Sequence, residues 1–152
     1  MSYPYRQNVG IVVYNHHKKV LWCERKDLSG QWQFPQGGID EGESVLEAAR
    51  RELKEETSVT SVELVAVTEK PLAYDFPPKI AEKFKKRGQA MYWVLFRFCG
   101  EDSEINLKTP EPEFVNWKWV NIDETPEKIV QFKKDVYQKM VKEFKPYLQE
   151  DR

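Results

Sequence analysis

Three glutamates, Glu52, Glu55 and Glu56, lie within little more than one helical turn, in a segment that begins with the pair Gly37-Gly38. Positions three or four apart on a helix lie about 5–6 Å apart at Cβ, so a helix would bring these carboxylates together. Carboxylates this close repel one another unless a cation or a shared proton relieves the repulsion. The segment therefore predicts a divalent metal site, and its oxygen ligands favour Mg²⁺ or Mn²⁺.

Two alternatives to this site follow from the same residues. Zinc is a poorer match, because the histidines and cysteines of the chain do not lie at ligand spacing to the glutamates. Glutamates beside lysine and arginine can also form a solvated helical face, with ion pairs worth about 0.2–0.5 kcal/mol each. The residues concerned in the zinc alternative are His16, His17, Cys23 and Cys99.

The helix that would carry the glutamates has a start signal in the sequence. Ser44 is followed three residues later by Glu47, which matches the capping box. The residues from 45 to 56 are mostly good helix formers, and apolar residues recur among them at the spacing of one buried stripe. We expect the three glutamates on the opposite stripe.

The remaining elements are predicted from apolar periodicity and from turn residues. Residues 70 to 90 contain three prolines and predict an irregular loop, with at most a short helix around 80–86, that is a candidate substrate lid. The C-terminal third is predicted to be helical from Thr125 to about Tyr147, either continuous or interrupted near Gln131. Strands are predicted at 9–14, 20–24, 62–68, 91–99 and 114–120, which together with the helices indicates a mixed sheet between helices.

Length and composition indicate a single enzyme-sized domain. The chain has 152 residues, near the modal domain size, and a net charge of −1. A nearly neutral chain does not coat nucleic acid non-specifically, and no DNA-specific binding is expected. Two cysteines without a C-x-x-C pattern are typical of a reducing cytoplasm, and no apolar run approaches the length of a membrane helix. We therefore expect a cytoplasmic protein without a membrane segment.

The three glutamates belong to a longer sequence motif, in which particular residue types recur at fixed spacing. Gly37, Glu43, the run 51–53, the pair 55–56 and Val59 together resemble the Nudix box. Another set of segments resembles the branch of that family that contains the bacterial RNA pyrophosphohydrolases and their relatives that cleave diadenosine polyphosphates. These segments are residues 5–11, 32–39, 112–114, 117–120 and 132–137. The resemblance implies an α/β fold, a Nudix-type α/β/α sandwich with a mixed β-sheet and a loop-helix-loop catalytic motif. It also implies one Nudix hydrolase domain over residues 1–152, with the box at about 37–59.

The chain departs from the family pattern at two positions. Ser58 stands where the box usually has a glycine in a left-handed conformation, which a serine adopts at some cost in strain. Gln7 stands where the branch commonly has proline. The first departure puts the conformation of the C-terminal turn of this helix in question. The second weakens the resemblance around Arg6.

The resemblance implies a metal-dependent pyrophosphohydrolase that removes pyrophosphate from the 5′-triphosphate end of RNA and so initiates RNA decay. Mg²⁺ is the expected cofactor, and Mn²⁺ is a possible substitute. Diadenosine polyphosphates and nucleoside triphosphates are alternative substrates that the same catalytic residues would serve. A non-catalytic module that binds a nucleotide or an RNA end is a further alternative. The oligomeric state is left open.

The expected site residues fall into three groups. Arg51 is expected to bridge Glu43 and to hold the loop against the helix, since its planar guanidinium suits a carboxylate. For Tyr74 and Phe132 the resemblance implies substrate contact, while core packing is an equal alternative. The catalytic group is Glu43, Arg51, Glu52, Glu55 and Glu56; the metal group is Gly37, Glu52, Glu55, Glu56 and Glu113; the substrate-binding group is Arg6, Arg25, Tyr74, Phe132 and Lys133.

Overall fold

The computed structural model describes residues 3–149. Residues 1, 2 and 150–152 of the predicted single domain lie outside that part of the chain. Among residues 3–149, no helix is long and apolar enough to cross a membrane.

The predicted mixed sheet and its flanking helices are confirmed. The helices are α1 (Val45–Thr57), α2 (Pro78–Phe84), α3 (Thr125–Lys128) and α4 (Lys134–Phe144), with 3₁₀ turns at Gln131–Lys133 and Lys145–Leu148. The strands are β1 (Tyr5–Tyr14), β2 (Val20–Arg25), β3 (Trp32–Gln33), β4 (Gln36–Gly38), β5 (Val62–Val67), β6 (Leu72–Asp75), β7 (Gly88–Phe98) and β8 (Phe114–Val120).

The strand pairing places the glycine pair beside the middle of the central strand β1. The main path of the sheet is β3-β2-β1-β7-β5, with β8 on β2 and β6 on β7. Strands β1 and β7 run parallel, and the other pairs are antiparallel. The short strand β4 pairs with β1 at Asn8–Gly10, so Gly37 lies opposite Val9.

Alternating residues of the central strands build a core on each face of the sheet. Ile11 and Val13 of β1 pack with the apolar side of α1, whereas Val12 and Tyr14 pack with α4. Strand β7 alternates in the same way and is buried along most of its length, as predicted for a central strand. The two cores fix α1 on one face and α4 on the other.

The segment from 70 to 90 is more regular than predicted. Residues Leu72–Asp75 form a strand because their backbone pairs with Gly88–Met91 of β7, a tertiary contact that propensity does not report. Helix α2 begins at Pro78, earlier than predicted, and is capped after Phe84 by Lys85 in a left-handed conformation, with φ 56°. The C-terminal helix is interrupted at Ile129 and Val130 by extended backbone. The interruption near Gln131 is therefore confirmed.

Ser58 adopts the left-handed conformation that the family pattern assigns to glycine. Its φ is 68°, and its backbone N–H donates to the carbonyl of Lys54 to cap α1. The Ser58 hydroxyl donates to the carbonyl of Asn106 at 2.8 Å. This side-chain bond offsets part of the strain of a left-handed serine.

Candidate active site

Helix α1 starts where the capping box predicts. The Ser44 hydroxyl accepts from the backbone of Glu47, and the Glu47 carboxylate accepts from the backbone of Ser44. The expectation that Glu52, Glu55 and Glu56 share an exposed stripe is wrong for Glu56. That side chain is 6% exposed, because it lies one turn from Leu53 on the side of α1 that faces the sheet. The carboxylates therefore approach the sheet edge from a partly buried direction.

Arg51 bridges Glu43, as predicted, and also contacts the box carboxylates. Its Nε lies 2.7 Å from Glu43 Oε2, and its Nη2 donates to the carbonyl of Gly38 at 2.9 Å. Its Nη1 lies 2.7 Å from Glu52 Oε1 and 3.3 Å from Glu55 Oε2. The hydrogen bonds from Arg51, followed by that from the backbone of Asp40, lower the pKa of Glu43 to about 2. One guanidinium thus ties the loop to the carboxylate side of α1.

Gly37 lies directly over the Glu52 carboxylate. A Cβ built on Gly37 would lie 2.0 Å from Glu52 Cδ, closer than any stable contact. A side chain at this position would have to push the Glu52 carboxylate aside, whereas glycine leaves it in place. The close approach brings the backbone of Gly37 beside the carboxylate.

Three carboxylates interact at the buried end of this group. Burial, then the negative charge and hydrogen bond of Glu52, then the charge of Glu113 raise the pKa of Glu56. A hydrogen bond from the backbone of Gln36 acts in the opposite direction. The sequence-remote Glu113 therefore joins the box glutamates in space, as the resemblance implied.

These observations fit a hard divalent cation. The donor set is all oxygen, the carboxylates repel one another, and the cradle under Gly37 leaves no room for a side chain. Within residues 3–149, no three His, Cys, Asp or Glu side chains are already gathered as a metal-binding group. Nη1 of Arg51 contacts both Glu52 and Glu55. The metal-ligand assignments for Gly37, Glu52, Glu55, Glu56 and Glu113 remain predictions.

A cavity of about 700 Å³ opens above the carboxylates. Its size is within the range of small-molecule sites in proteins. All of the predicted metal ligands and all of the predicted substrate-binding residues line it. Glu43 and Arg51 are not in the lining. Its lining includes the metal-ligand group Gly37, Glu52, Glu55, Glu56 and Glu113 and the substrate-binding group Arg6, Arg25, Tyr74, Phe132 and Lys133.

Three of the four cationic residues that line this cavity differ in burial and pairing. Lys133 is 6% exposed, and among the described residues no carboxylate lies within ion-pair distance of it. Burial, and then the charge of Arg25, lower the pKa of Lys133 to about 8. Arg25 is paired with Asp27 through two hydrogen bonds, of 2.9 and 2.7 Å. Arg6 is exposed and lies against Gly38. Lys133 is thus a buried ammonium whose charge an anionic ligand would balance.

Tyr74 and Phe132 belong both to the cavity and to the core. Their ring centroids are 5.7 Å apart, and both contact the core between the sheet and α4. The hydroxyl of Tyr74 is buried and has no hydrogen-bond partner within residues 3–149, although the ring lines the cavity. Core packing and substrate contact, the two interpretations of the sequence, are therefore compatible at these positions.

Sequence reasoning missed several residues that line the cavity. Asn8 and Gln89 are buried, and the Asn8 amide donates to Gln89 across the β1–β7 pair. The parallel register of these strands would have revealed that contact, but sequence spacing does not. Phe76, Ile80, Phe84 and Lys86 come from the segment predicted as a lid and also line the cavity.

Comparison with known proteins finds similar sequences and a similar fold. The sequence profile of the family described as NUDIX domain matches residues 4–140. The RNA pyrophosphohydrolase of Caulobacter vibrioides is 47% identical over 155 residues, covering 97% of this chain and 90% of that protein. Nudix hydrolase 26 of Arabidopsis thaliana, a chloroplastic protein, is 46% identical over 154 residues, covering 95% of this chain and 71% of that protein. Among solved structures, the E. coli dihydroneopterin triphosphate pyrophosphohydrolase superimposes with a TM-score of 0.69 at 18% identity, covering 94% of this chain and 99% of that chain.

Proposed function

The chain belongs to the Nudix hydrolase family, and from that premise we propose that it releases pyrophosphate from the 5′-triphosphate end of RNA. The observation that carries the proposal is that Glu52, Glu55 and Glu56 line the same cavity as Arg25, Lys133 and two aromatic rings. The relative in Caulobacter that is named RNA pyrophosphohydrolase aligns with 97% of the chain, which supports the same substrate. The proposed reaction adds water across the α–β phosphoanhydride bond and leaves a 5′-monophosphate and pyrophosphate.

Glu52, Glu55, Glu56, Glu113 and the carbonyl of Gly37 would hold Mg²⁺, for which Mn²⁺ is the proposed substitute. When bound, the cation neutralises phosphate oxygens and lowers the pKa of a coordinated water. The residues around it have a separate task, which is to keep these donors in place. Arg51 donates hydrogen bonds to Glu52 and Glu55, and its bond to the Gly38 carbonyl anchors the loop. Arg51 is therefore a positioning residue in this proposal.

The cationic wall beyond the carboxylates suits the remaining phosphate charge. Lys133 is desolvated and lacks a carboxylate partner among the described residues, so a phosphate would gain a strong charge-assisted hydrogen bond there. Arg25 is already oriented by Asp27 and lies close enough to lower the pKa of Lys133. Arg6 lies at the glycine loop. These side chains would bind and orient the triphosphate.

The aromatic pair favours a substrate with an unstacked base. Unpaired RNA bases commonly stack on aromatic side chains, and such stacking requires no particular base. Tyr74 and Phe132 lie next to the cationic residues in the cavity wall. A single-stranded 5′ end would therefore place its phosphates on the cations and a base on the rings.

The same proposal covers the organisation and location of the chain. We treat residues 1–152 as one domain, since the sheet joins the N-terminal strand β1 to β7 and β2 to β8. The proposed place of action is the cytoplasm, where the free thiols of Cys23 and Cys99 would stay reduced.

A cleavage panel tests the proposed substrate. Triphosphorylated RNA, diadenosine tetraphosphate and nucleoside triphosphates would be compared at equal concentration with Mg²⁺, and the products resolved. Specificity is the ratio of kcat/KM values, so triphosphorylated RNA should exceed the other substrates, with pyrophosphate and 5′-monophosphorylated RNA as products. A higher kcat/KM for diadenosine tetraphosphate or for a nucleoside triphosphate would overturn the RNA assignment while retaining the chemistry.

A further inference from the structure

Helix α2 carries positive charge at the boundary between the cavity and solvent. Ile80 and Phe84, one turn apart, line the cavity, and Phe84 is 56% exposed. Lys79 and Lys83 are also one turn apart and lie on the neighbouring side of the helix, with Lys83 Nζ 5.4 Å from the Phe84 ring centroid. We call Lys79 and Lys83 the lysine stripe. Both of its lysines are exposed and lie outside the cavity lining.

The protein does not neutralise the lysine stripe. Within residues 3–149, no Asp or Glu side chain forms an ion pair with either of its lysines. Glu82 is the only acidic residue of α2, and it accepts hydrogen bonds from the Tyr3 hydroxyl at 3.0 Å and from Lys85 Nζ at 3.0 Å. The bond to Tyr3 also ties α2 to the N-terminal segment. The stripe is therefore free to pair with an external anion.

A second lysine-rich segment of the chain differs in both respects. In α4 and the turn that follows it, Lys139 is paired with Asp135 at 3.0 Å and Lys145 is paired with Asp123 at 3.1 Å. Neither of these lysines lines the cavity. Their charge is balanced within the fold, whereas the lysine stripe lies unbalanced beside residues of the cavity wall.

The exposed residues of the cavity lining indicate where a long substrate would leave. These residues are Glu55, Glu113, Arg6 and Phe84. The proposed function places the triphosphate and the metal at the glutamates, so the strand that follows the triphosphate must leave past the other exposed lining residues. A strand that passes Phe84 reaches the lysine stripe, since Lys83 adjoins that ring. Each phosphodiester of RNA carries a negative charge, which complements the ammonium groups.

We propose that Lys79 and Lys83 bind phosphodiesters of the single-stranded RNA that continues 3′ of the nucleotides held in the cavity. The inference rests on the proposed function, because it requires the 5′ end of the RNA to occupy the cavity. Nucleoside triphosphates and dinucleoside polyphosphates have no phosphodiesters beyond the cavity, so they gain nothing from the stripe. The surface of α2 thus favours RNA over these smaller substrates.

The test compares the double variant Lys79→Gln/Lys83→Gln with wild type on three substrates at constant Mg²⁺. These are a 5′-triphosphorylated adenosine dinucleotide, the corresponding decamer, and a decamer in which every linkage after the first is an uncharged methylphosphonate. On the all-phosphate decamer the double variant should lose about tenfold in kcat/KM at about 50 mM salt. The slope of log kcat/KM against log salt concentration should become shallower by about 1.4, because each phosphate contact of a single strand contributes about 0.7.

The other two substrates separate the phosphodiester contact from a general defect. The dinucleotide and the methylphosphonate decamer should give equal values for wild type and double variant, since neither offers charged linkages to the stripe. Lys79→Arg/Lys83→Arg keeps both charges and should retain the wild-type value on the all-phosphate decamer. A loss of equal size on the dinucleotide and the decamer would overturn the proposal.

Lys54→Gln/Lys142→Gln is the matched control for the loss of two charges. Both lysines are exposed and lie outside the cavity lining, and neither forms an ion pair within the described part of the chain. This variant should behave as wild type on every substrate. If the stripe variant loses no more on the decamer than this control, the effect is one of net charge and the proposal is overturned.

Binding of the proposed product separates this proposal from the proposed function. Fluorescence anisotropy of a 5′-monophosphorylated decamer reports the contact without turnover, and the double variant should bind it about tenfold more weakly than wild type at about 50 mM salt. If the chain binds RNA with this difference but cleaves no triphosphorylated RNA, the proposed function fails and the stripe stands. If it cleaves RNA but both proteins bind the decamer equally, the stripe is overturned and the function stands. Absence of both binding and cleavage would overturn both.

Discussion

Arg51 and Glu43 form a two-point ion pair, with Arg51 Nε 2.7 Å from Glu43 Oε2 and Arg51 Nη2 2.9 Å from Glu43 Oε1. Lysine keeps the charge but cannot reach both oxygens and the Gly38 carbonyl together. Arg51→Lys should therefore lower kcat/KM by about 10- to 100-fold and raise the Mg²⁺ concentration needed for half-maximal activity, as removal of an outer-shell partner does. Metal titrations of activity measure this effect. The neighbouring exposed Arg50→Lys should behave as wild type, and equal behaviour of the two variants would contradict the positioning role.

Glu56→Gln tests the buried member of the carboxylate group. Glutamine has the same shape, so the fold should persist, while the site loses a charged metal ligand. Loss of several kcal/mol of charge stabilisation corresponds to a fall in kcat of about 100- to 1,000-fold. Steady-state kinetics with Mg²⁺ measure the fall, and circular dichroism checks the fold. Near-normal turnover would refute the assignment of Glu56 to the metal, with exposed Glu127→Gln as the unaffected control.

Gly37→Ala tests the contact between the loop and Glu52. A methyl group 2.0 Å from Glu52 Cδ must displace either the carboxylate or β4, so we expect activity to fall by at least about tenfold. Gly30→Ala is the control for a glycine replacement away from the carboxylates. Gly30 has φ 82° but no heavy atom within 4 Å of its built Cβ. That variant should lose about 1 kcal/mol of stability in urea and keep its kcat/KM. Equal activity losses in the two variants would contradict a specific role for the Glu52 contact.

The pKa of Lys133 predicts how its contribution to kcat/KM changes with pH. Its pKa of about 8 means that the ammonium is charged below pH 8 and neutral above it. The ratio of wild-type to Lys133→Met kcat/KM should be about 10- to 100-fold at pH 7 and should approach one above about pH 9. Lys134→Met should follow the wild-type profile. A ratio that stays constant from pH 7 to pH 10 would exclude Lys133 as the titrating group.

Stability provides a second readout at the same position. The folded-state pKa of Lys133 lies below the ordinary value of 10.5, so the unfolded chain binds more protons between pH 8 and 10.5. The cost of burying the charge is fully present below pH 8 and diminishes as the pH rises through that interval. Lys133→Met should thus be at least as stable as wild type at pH 7 in a urea titration.

Two small and opposing contributions to stability meet at Ser58, at the end of α1. Ser58→Gly removes the strain of φ 68° but also the hydroxyl bond to Asn106, and each contributes about 1 kcal/mol. We expect the unfolding free energy of this variant to remain within about 1 kcal/mol of wild type. Ser58→Ala keeps the strain and loses the bond, so it should be less stable by about 1 kcal/mol. Urea titrations measure both, and a marked gain in Ser58→Ala would contradict the role of the hydroxyl.

The parts of the site that follow from local pattern were predictable from the sequence. The capping box placed the start of α1, and the guanidinium chemistry of Arg51 predicted its bridge to Glu43. The burial of Glu56 follows from its position one turn after Leu53, but its proximity to Gln36 and Glu113 was not predictable, because those residues fold onto α1 from elsewhere. Local spacing reports the face of a helix but not what covers it.

The segment between residues 70 and 90 shows the same limit. Strand β6 exists because β7 offers it a free edge, and prolines on both sides of it favour a loop in any local analysis. The side chains of Phe76 and Phe84 meet only because α2 turns back beside that strand. Residues that the strands and turns bring together from distant parts of the chain are therefore the ones that sequence spacing could not place.

The parallel pairing of β1 with β7 also has a consequence for folding. Asn8 and Gln89, whose side chains bond across that pair, lie 81 positions apart in the chain. Such non-local closure slows folding, because the entropy of the intervening loop is lost before the contacts form. Arg6 on β1 and Lys133 in the last third of the chain come together only after this closure. During refolding, catalytic activity should consequently appear with the slowest phase, well after the local helix α1 has formed.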